Sequence, residues 1–235
     1  MSDSESWSPL PLTLLILTFT SGIVDAVGFV ALGRVFTSLM TGNIAFLGMS
    51  LVGLEGVSAL RSITALAAFA GGAALGGRLA NQLKTSTHRR WLGWVTALEV
   101  GFLLGAIGFA WTFDYEAASP EWALYGIIAM TALAMGLRSA TVLRLGVPDL
   151  KTTVLTLTIA SLSADSRLAG GSSVRLGRRL ASIASLGAGA GAGLAALRFS
   201  GVWLPLAIAA GLILMATLIY VAHPSSLKVG WGPKK

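Results

Sequence analysis

The chain has 235 residues, of which 54% are hydrophobic and only 11% are charged, with a mean hydropathy of +0.78. Soluble globular domains carry about 25% charged residues, so this composition excludes a soluble fold and predicts an integral membrane protein. The formal net charge of +7 does not indicate nucleic-acid binding, because the basic residues lie in short connections between apolar runs. The absence of cysteine excludes disulfides, thiolate chemistry and sulfur-ligated metals.

Eight apolar runs follow one another along the chain, at 10–32, 35–54, 57–77, 91–113, 122–143, 152–164, 180–197 and 202–222. A membrane-spanning helix needs about 17 to 25 residues. Run 152–164 is shorter than that, and run 35–54 is interrupted by the polar cluster TSLMTGNIAFL, which begins at Thr37. The sequence therefore predicts an all-α integral membrane protein with about six transmembrane helices and two short re-entrant or broken segments. These elements form a single membrane domain over 1–235.

The charges in the connections predict the orientation of the spans. The connection after the third run holds five basic residues: Arg78, Lys84, His88, Arg89 and Arg90. The connection after the fourth run holds three acidic ones: Asp114, Glu116 and Glu121. Because cytoplasmic loops are enriched in Lys and Arg, the basic connection is expected inside and the acidic one outside. Run 152–164 has basic residues on both sides, which favours a segment that enters the membrane and returns to the cytoplasm. Both termini are then expected to be cytoplasmic.

The two exceptional runs resemble each other. Aligning Thr37 with Thr152 pairs TSLMTGNIAFL with TTVLTLTIASL, with five identities in eleven positions, and Gly22 aligns with Gly136 at nearly the same offset. A chance match in a chain rich in Ala, Leu and Thr is the alternative to an internal duplication. We predict repeats at approximately 10–113 and 121–222. Each repeat has three full spans, so the second must be inverted relative to the first, as in many transporters.

The segments GIVDAVGFVALGRVFTSLMTGN, at 22–43, and GLRSATVLRLGVPDLKTTVLT, at 136–156, resemble the YoaK-like family of bacterial multi-pass membrane proteins. That family is catalogued as a domain of unknown function. The pair DA at 25–26 and the triplet TGN at 41–43 are the most specific part of the resemblance, which covers most of the chain. The resemblance implies an inner (plasma) membrane protein of bacteria with about six spans and no established substrate.

The triplet Thr41-Gly42-Asn43 predicts a helix break at membrane depth. Gly42 permits unusual backbone angles, and Thr41 or Asn43 can cap a helix that begins at Ile44. The N-terminus of such a half-helix would direct free amide groups and the positive end of its dipole towards the membrane centre, where an anion or dipole could bind. The alternative is an ordinary span whose polar side chains hydrogen-bond neighbouring helices.

Three charged residues lie inside the apolar runs: Asp25, Glu99 and Arg138. A charge at bilayer depth costs at least about 2.5 to 3.5 kcal/mol on insertion scales, so each needs a partner or a purpose. In a functional interpretation, Asp25 carries a proton or cation and Arg138 binds an anionic group. Glu99 is then a second proton site or the counter-ion of Arg138. In a structural interpretation, Glu99 and Arg138 form a buried ion pair and nothing more.

Together these features predict a small-solute secondary transporter or channel with a polar site at the membrane midplane, between two inverted repeats. The expected substrate-binding residues are Asp25, Thr41, Gly42, Asn43, Glu99, Arg138, Thr156 and Thr158. A non-transporting membrane scaffold or partner-stabilising protein is the alternative.

No nucleophile and base stand at a spacing that indicates an enzyme, and no residue cluster indicates a metal or another cofactor. The expected partners are the lipid bilayer and a small molecule or ion, and nucleic acid is not expected. Two glycine-rich stretches, at 70–77 and 187–193, predict close helix packing and leave room for a homo-oligomer.

Overall fold

A computed structural model describes residues 9–146, 155–164 and 176–227 of the chain. The regular structure of these residues is helical, which confirms the predicted all-α fold class. The helices are α1 (Leu10–Ala31), α2 (Met40–Leu51), α3 (Ala59–Gln82), α4 (His88–Ala110), α5 (Glu121–Leu145), α6 (Leu155–Ala164), α7 (Leu176–Ser200) and α8 (Trp203–Ala222), followed by a 3-10 turn at Pro224–Leu227.

Within the described residues, six helices are long and apolar enough to cross a membrane, namely α1, α3, α4, α5, α7 and α8. Helix α2 has 12 residues and α6 has 10, which correspond to about 18 and 15 Å at 1.5 Å per residue. Neither can cross a hydrocarbon core of about 30 Å. In the described part of the chain, six helices able to span a membrane and two shorter helices are therefore confirmed, and the chain is a multi-pass membrane protein.

Helices α1 and α5 are the central spans. In their most apolar windows 61% and 67% of the residues are buried, against 22% in the windows of α3 and α7. The outer helices instead expose large apolar side chains such as Leu60, Leu104 and Leu218, as expected where lipid replaces water. Buried polar groups therefore collect along α1 and α5, where lipid cannot reach them.

The central helices pack against the two glycine-rich helices. A Cβ added to Gly189 of α7 would lie 2.0 Å from the carbonyl oxygen of Phe19 in α1, and one added to Gly72 of α3 would lie 2.1 Å from that of Leu133 in α5. Helix α1 thus contacts α7, and α5 contacts α3, backbone to backbone, the close approach that small residues permit.

Helices α4 and α8 run side by side in opposite directions and close the bundle. The rings of Trp111 and Trp203 stack at one end with centroids 5.5 Å apart. At the other end, Tyr220 Oη lies 3.4 Å from His88 Nδ1. Helix α4 also packs on α5, and α8 on α1. Helices of the two halves of the chain thus pack on each other, and the predicted inverted repeat itself stays a prediction.

Candidate functional site

The chain reverses direction after α1 and runs back along that helix. The backbone amide of Arg34 donates to the carbonyl of Phe29 at 3.1 Å, and that of Val35 donates to the carbonyl of Gly28 at 3.3 Å. Successive residues of this segment therefore pair with successively earlier residues of α1. Residues 32–39 therefore form a non-helical segment that descends beside α1 towards the level of Asp25.

Helix α2 then returns to the level from which the segment started. Arg34 Nη1 donates to the carbonyl of Glu55, beyond the end of α2, at 3.4 Å. Arg61 Nη1, in the first turn of α3, donates to the carbonyl of Gly33 at 3.5 Å. The start of the descending segment, the end of α2 and the start of α3 thus lie together, which is the geometry of a re-entrant segment.

The helix break lies earlier than the sequence predicts. Helix α2 begins at Met40, so the prediction that it begins at Ile44 with a cap from Thr41 or Asn43 is wrong. The Asn43 side chain instead bonds backwards: its Oδ1 accepts from the amide of Phe36 at 2.9 Å, and its Nδ2 donates to the carbonyl of Phe36 at 2.5 Å. Asn43 therefore bonds to both the amide and the carbonyl of Phe36 in the descending segment. Backbone polar groups inside a membrane need such partners within the protein, because no water is present to bind them.

Asp25 holds the tip of the descending segment. Its Oδ1 accepts hydrogen bonds from the amides of Thr37 at 3.0 Å and Ser38 at 2.9 Å, and its Oδ2 accepts a short one from Ser38 Oγ. The Asp25 side chain is buried. Its carboxylate lies just ahead of the first turn of α2, where free amides and the helix dipole favour an anion. A charge from the chain itself therefore occupies the predicted anion position.

Glu99 of α4 and Arg138 of α5 form a buried ion pair at the centre of the bundle. Arg138 Nε donates to Glu99 Oε1 at 2.5 Å, and Nη2 contacts the same oxygen. Arg138 Nη1 donates to three acceptors on α1, at 2.8 to 3.0 Å: the carbonyl of Leu17, Thr20 Oγ1 and Ser21 Oγ. The guanidinium group therefore joins three transmembrane helices.

The two clusters of polar contacts lie next to each other on α1. Ser21, which accepts from Arg138, precedes Asp25 by four residues, a rise of about 6 Å along a helix. The re-entrant tip and the ion pair are therefore separated by about one turn of the same central helix.

Two cavities approach these clusters from different halves of α1. One of about 30 Å³ is lined by Glu99, Arg138 and residues of the first half of α1. The other, of about 440 Å³, is open, almost entirely apolar, and lined by Asp25, Phe36, Leu194 and other residues of α1 and α7. The boundary between the two cavities falls on α1 between Leu17 and Gly22.

The remaining predicted site residues lie outside these clusters. Thr41 is exposed, and Gly42 packs against the ring of Phe36. Helix α6 packs on α7, with Thr156 exposed and Thr158 buried. Neither cavity is lined by a described residue of α6. The second segment was predicted from residue 152, and its residues 152–154 lie outside the described part of the chain.

Several polar residues of these clusters were not predicted, among them Thr20, Ser21 and Ser38. The first two belong to the polar stretch TFTS at 18–21, inside an otherwise apolar run, and that interruption was the available signal. For metals, residues 9–146, 155–164 and 176–227 bring together no group of three His, Asp or Glu side chains that could hold an ion.

Comparisons with known proteins place these features in a wider group. Residues 13–219 match the family described as "Protein of unknown function (DUF1275)". The UPF0700 transmembrane protein YoaK of Bacillus subtilis (strain 168) is 34% identical to the chain over 152 residues. That match covers 65% of this chain and 65% of the Bacillus protein, slightly less than two thirds of each. No solved structure was found to match the chain.

Proposed function

The chain belongs to the DUF1275 family of membrane proteins of unknown function, and from that premise we propose that it is a small-solute secondary transporter or channel. The observation that carries the proposal is the arrangement along α1. Two cavities from opposite halves of this helix approach two buried charge clusters that are about one turn apart. Ionisable groups inside membrane segments typically mark substrate or ion pathways.

The pathway would follow α1 between the wide cavity and the small one. Asp25 borders the wide cavity, and the Glu99–Arg138 pair borders the small one. A solute would have to pass the stretch between Leu17 and Gly22, where α1 packs closely on α7. Because Gly22 and Gly189 leave no room for side chains there, a small shift of α7 against α1 would open or close the passage.

The proposed location is the inner (plasma) membrane of a bacterium, with both termini cytoplasmic. The basic connection between α3 and α4 supports this orientation, as does the acidic one between α4 and α5. The expected partners are the lipid bilayer and a small molecule or ion, with no enzymatic activity and no nucleic acid.

A non-transporting membrane scaffold is the second candidate, and the contacts of Asp25 favour it. Both oxygens of that carboxylate bond to residues 37–38, so its charge is explained by holding the re-entrant segment alone. A scaffold of this kind would stabilise a partner protein and move no solute.

Solid-supported membrane electrophysiology on proteoliposomes tests the two candidates. Concentration jumps of acetate, chloride, phosphate, sodium and potassium serve as probes. A transporter or channel gives flux of at least one probe, measured as a current or, for electroneutral transport, as uptake of the labelled probe, and Arg138→Gln or Asp25→Asn reduces it while the surface control Glu116→Gln does not. Full flux in both buried variants would refute the assigned roles. If no probe gives flux and the protein copurifies with a partner, the scaffold is favoured.

A further inference from the structure

The small cavity extends from the buried ion pair to one end of the bundle. Its inner wall holds Glu99, the twelfth of the 23 residues of α4, and Arg138. Its outer wall holds Leu10, Leu145 and Tyr220, which are the first residue of α1, the last of α5 and the third from the end of α8. The cavity therefore connects the centre of the bundle with the level at which α1 and α4 begin.

The ion pair leaves polar atoms available to this cavity. Both Arg138 contacts fall on Glu99 Oε1, and no residue in the described part of the chain donates to Oε2. Arg138 Nη2 makes its ion contact without a well-oriented hydrogen bond to the described residues. Both side chains are about 2–3% exposed. Glu99 Oε2 is thus a buried acceptor without a donor among the described residues, on a side chain that lines the cavity.

The cavity is large enough for water, although most of its accessible lining is apolar. A volume of about 30 Å³ holds about two water molecules, since each needs roughly 10–15 Å³ of cavity volume. Four threonines are among its lining residues, from α1, α4, α5 and α8: Thr13, Thr96, Thr141 and Thr217. Each water molecule can therefore find polar partners on several walls.

The hydroxyl groups of these threonines can still form hydrogen bonds to water. Thr13 and Thr141 donate to carbonyls of their own helices, at 3.1 and 2.9 Å, which leaves their oxygen lone pairs free to accept. Thr96 and Thr217 share one hydrogen bond of 2.8 Å, so one of the two hydroxyls keeps its hydrogen for another acceptor. The lining can accept and donate, as a chain of hydrogen bonds must in order to move a proton.

The outer end of the cavity meets a titratable pair. Tyr220 lines the cavity, and its hydroxyl lies 3.4 Å from Nδ1 of the half-buried His88, the first residue of α4. Glu99 lies eleven residues beyond His88, a rise of about 16 Å along α4, so the threonines of the lining as well as the waters would have to take part in a chain of hydrogen bonds from Tyr220 to Glu99. Tyr220 and His88 can both donate and accept hydrogen bonds, so the pair suits the entrance of such a chain.

We infer that this cavity is a proton-entry route and that Glu99 is the proton-binding group of the proposed transporter. A hydronium ion in the cavity transfers one proton to Glu99 Oε2, which leaves one water molecule and a neutral carboxylic acid. Arg138 keeps its charge, so the pair changes from a net charge of zero to +1. An anionic solute is then the substrate class that restores neutrality at a buried site, where an unpaired charge is costly. The inference rests on the proposed function because it assigns that site its coupling ion.

The charged and titratable groups around Glu99 are consistent with a single proton site. Arg138 faces it from α5 and Tyr220 borders its cavity from α8, while Asp25 on α1 lies beyond Ser21 and is bonded to the re-entrant tip. His88 is at the far end of the same helix. Helix α3 carries its two arginines near its ends.

Infrared difference spectroscopy of the full-length protein in lipid nanodiscs tests the inference. We expect a carboxylic-acid carbonyl band that depends on Glu99 to appear as the pH is lowered over about 9 to 3, a range that brackets the ordinary titration of imidazole and carboxyl groups. The exposed Glu55, Glu116 and Glu121 give separate bands at its acid end. Incorporation of ¹³C-labelled glutamate should shift this band without any substitution, and ¹³C-labelled aspartate should not. Glu99→Gln should abolish the band, and Asp25→Asn should retain it.

The route is tested separately from the site, by the rate at which the band appears after a pH jump. We expect the double variant Thr96→Val/Thr217→Val and the variant Tyr220→Phe to slow it about tenfold, which corresponds to about 1.4 kcal/mol of added barrier. Thr18→Val is the matched control, because Thr18 is a buried threonine of α1 that does not line the cavity. Equal rates in the double variant and this control would overturn the route.

The outcomes separate this inference from the proposed function. A glutamate band that titrates while labelled acetate, chloride and phosphate show neither a current nor electroneutral uptake supports proton entry and argues against transport of these anions. A solute current that does not depend on pH, with no glutamate band, overturns the inference and leaves transport in place.

Discussion

At the scale of single residues, the Asp25 carboxylate takes the place of the backbone carbonyls that would accept hydrogen bonds from the amides of Thr37 and Ser38 in a helix. Residues 32–39 are not helical, so their amides lack the regular partner four residues earlier, and unpaired amides at membrane depth cost several kcal/mol each. One carboxylate accepts from two of these amides and one hydroxyl. The acidic residue in the first span is therefore explained structurally by the non-helical segment beside it, whether or not it also contacts a solute.

We predict that Asp25→Ala destabilises the protein by at least about 2 kcal/mol, since each buried donor left unsatisfied costs about 1–3 kcal/mol. Asp25→Asn should cost less, because its amide oxygen still accepts from the two backbone amides and its NH₂ can donate to Ser38 Oγ. Thermal unfolding in detergent measures both, with the exposed Glu116→Ala as control. Equal losses for Ala and Asn would contradict this account of the carboxylate.

At the scale of elements, the re-entrant segment is fastened by side chains on both of its neighbours. Asp25 holds it from α1 and Asn43 from α2. The ring of Phe36 stacks between those of Phe29 and Phe46, with centroids 5.5 and 5.7 Å apart. The descending segment is thus packed between two helices, the setting in which non-helical backbone is tolerated inside a membrane.

Because the chain has no cysteine, single introduced cysteines can report which side of the membrane each connection faces. We predict that Glu55→Cys, after α2, reacts with a membrane-impermeant maleimide from the side opposite to Ser6→Cys in the N-terminal tail. Lys84→Cys, between α3 and α4, should react from the same side as Ser6→Cys. Labelling of Glu55→Cys and Ser6→Cys from one side would mean that run 35–54 crosses the membrane.

The glycine contacts between helices lead to a prediction with a matched control on one helix. Gly189→Ala should destabilise the protein by about 1–3 kcal/mol, the usual cost of overpacking, because its Cβ would lie 2.0 Å from a backbone oxygen that cannot move aside alone. Gly187→Ala, where nothing lies within 4 Å, should be neutral or stabilising by up to about 1 kcal/mol. Thermal unfolding of the two variants in the same detergent makes the comparison; similar behaviour would contradict the close α1–α7 contact.

At the scale of the whole molecule, matching positions in the two halves make matching contacts. A Cβ added to Gly22 of α1 would lie 2.2 Å from the carbonyl oxygen of Leu186 in α7, and one added to Gly136 of α5 would lie 2.0 Å from that of Phe69 in α3. Gly22 and Gly136 are the residues that the repeat alignment pairs. In each case the first helix of one predicted repeat packs on the glycine-rich helix of the other, so the halves are interlocked.

Because α1 packs on α7 and α5 packs on α3, we predict that neither half of the chain is stable alone. Fragments 1–116 and 117–235, produced as separate chains, should be degraded individually and recovered together when coexpressed, because the α1–α7 and α3–α5 contacts and the Glu99–Arg138 pair all cross the division. Copurification through a tag on one fragment, with each fragment expressed alone as control, measures this. An abundant, folded single fragment would argue against the interlocked arrangement.

The sequence was sufficient for features that depend on composition and on the cost of charge in a membrane. The lengths of the apolar runs predicted the six spans and the two short segments. The free-energy cost of placing charged groups inside a membrane led to the structural interpretation in which Glu99 and Arg138 form an ion pair. The position of the helix break was predicted wrongly because the triplet TGN is typical of a helix start. The Asn43 side chain instead bonds to Phe36, seven residues earlier. The contacts of Arg138 with Thr20 and Ser21 join residues over 110 positions apart, which no local pattern encodes.

The interlocking also governs the order in which the protein can be assembled during synthesis. Helix α1 emerges from the ribosome first, but its packing partner α7 begins at Leu176, and Glu99 must wait for Arg138, 39 residues later, to be neutralised. Until then, Glu99 of the nascent chain lacks its partner Arg138, and the glycine-rich surface of α3 lacks its packing partner α5. The early spans therefore reach their native packing only after the last helices have been synthesised.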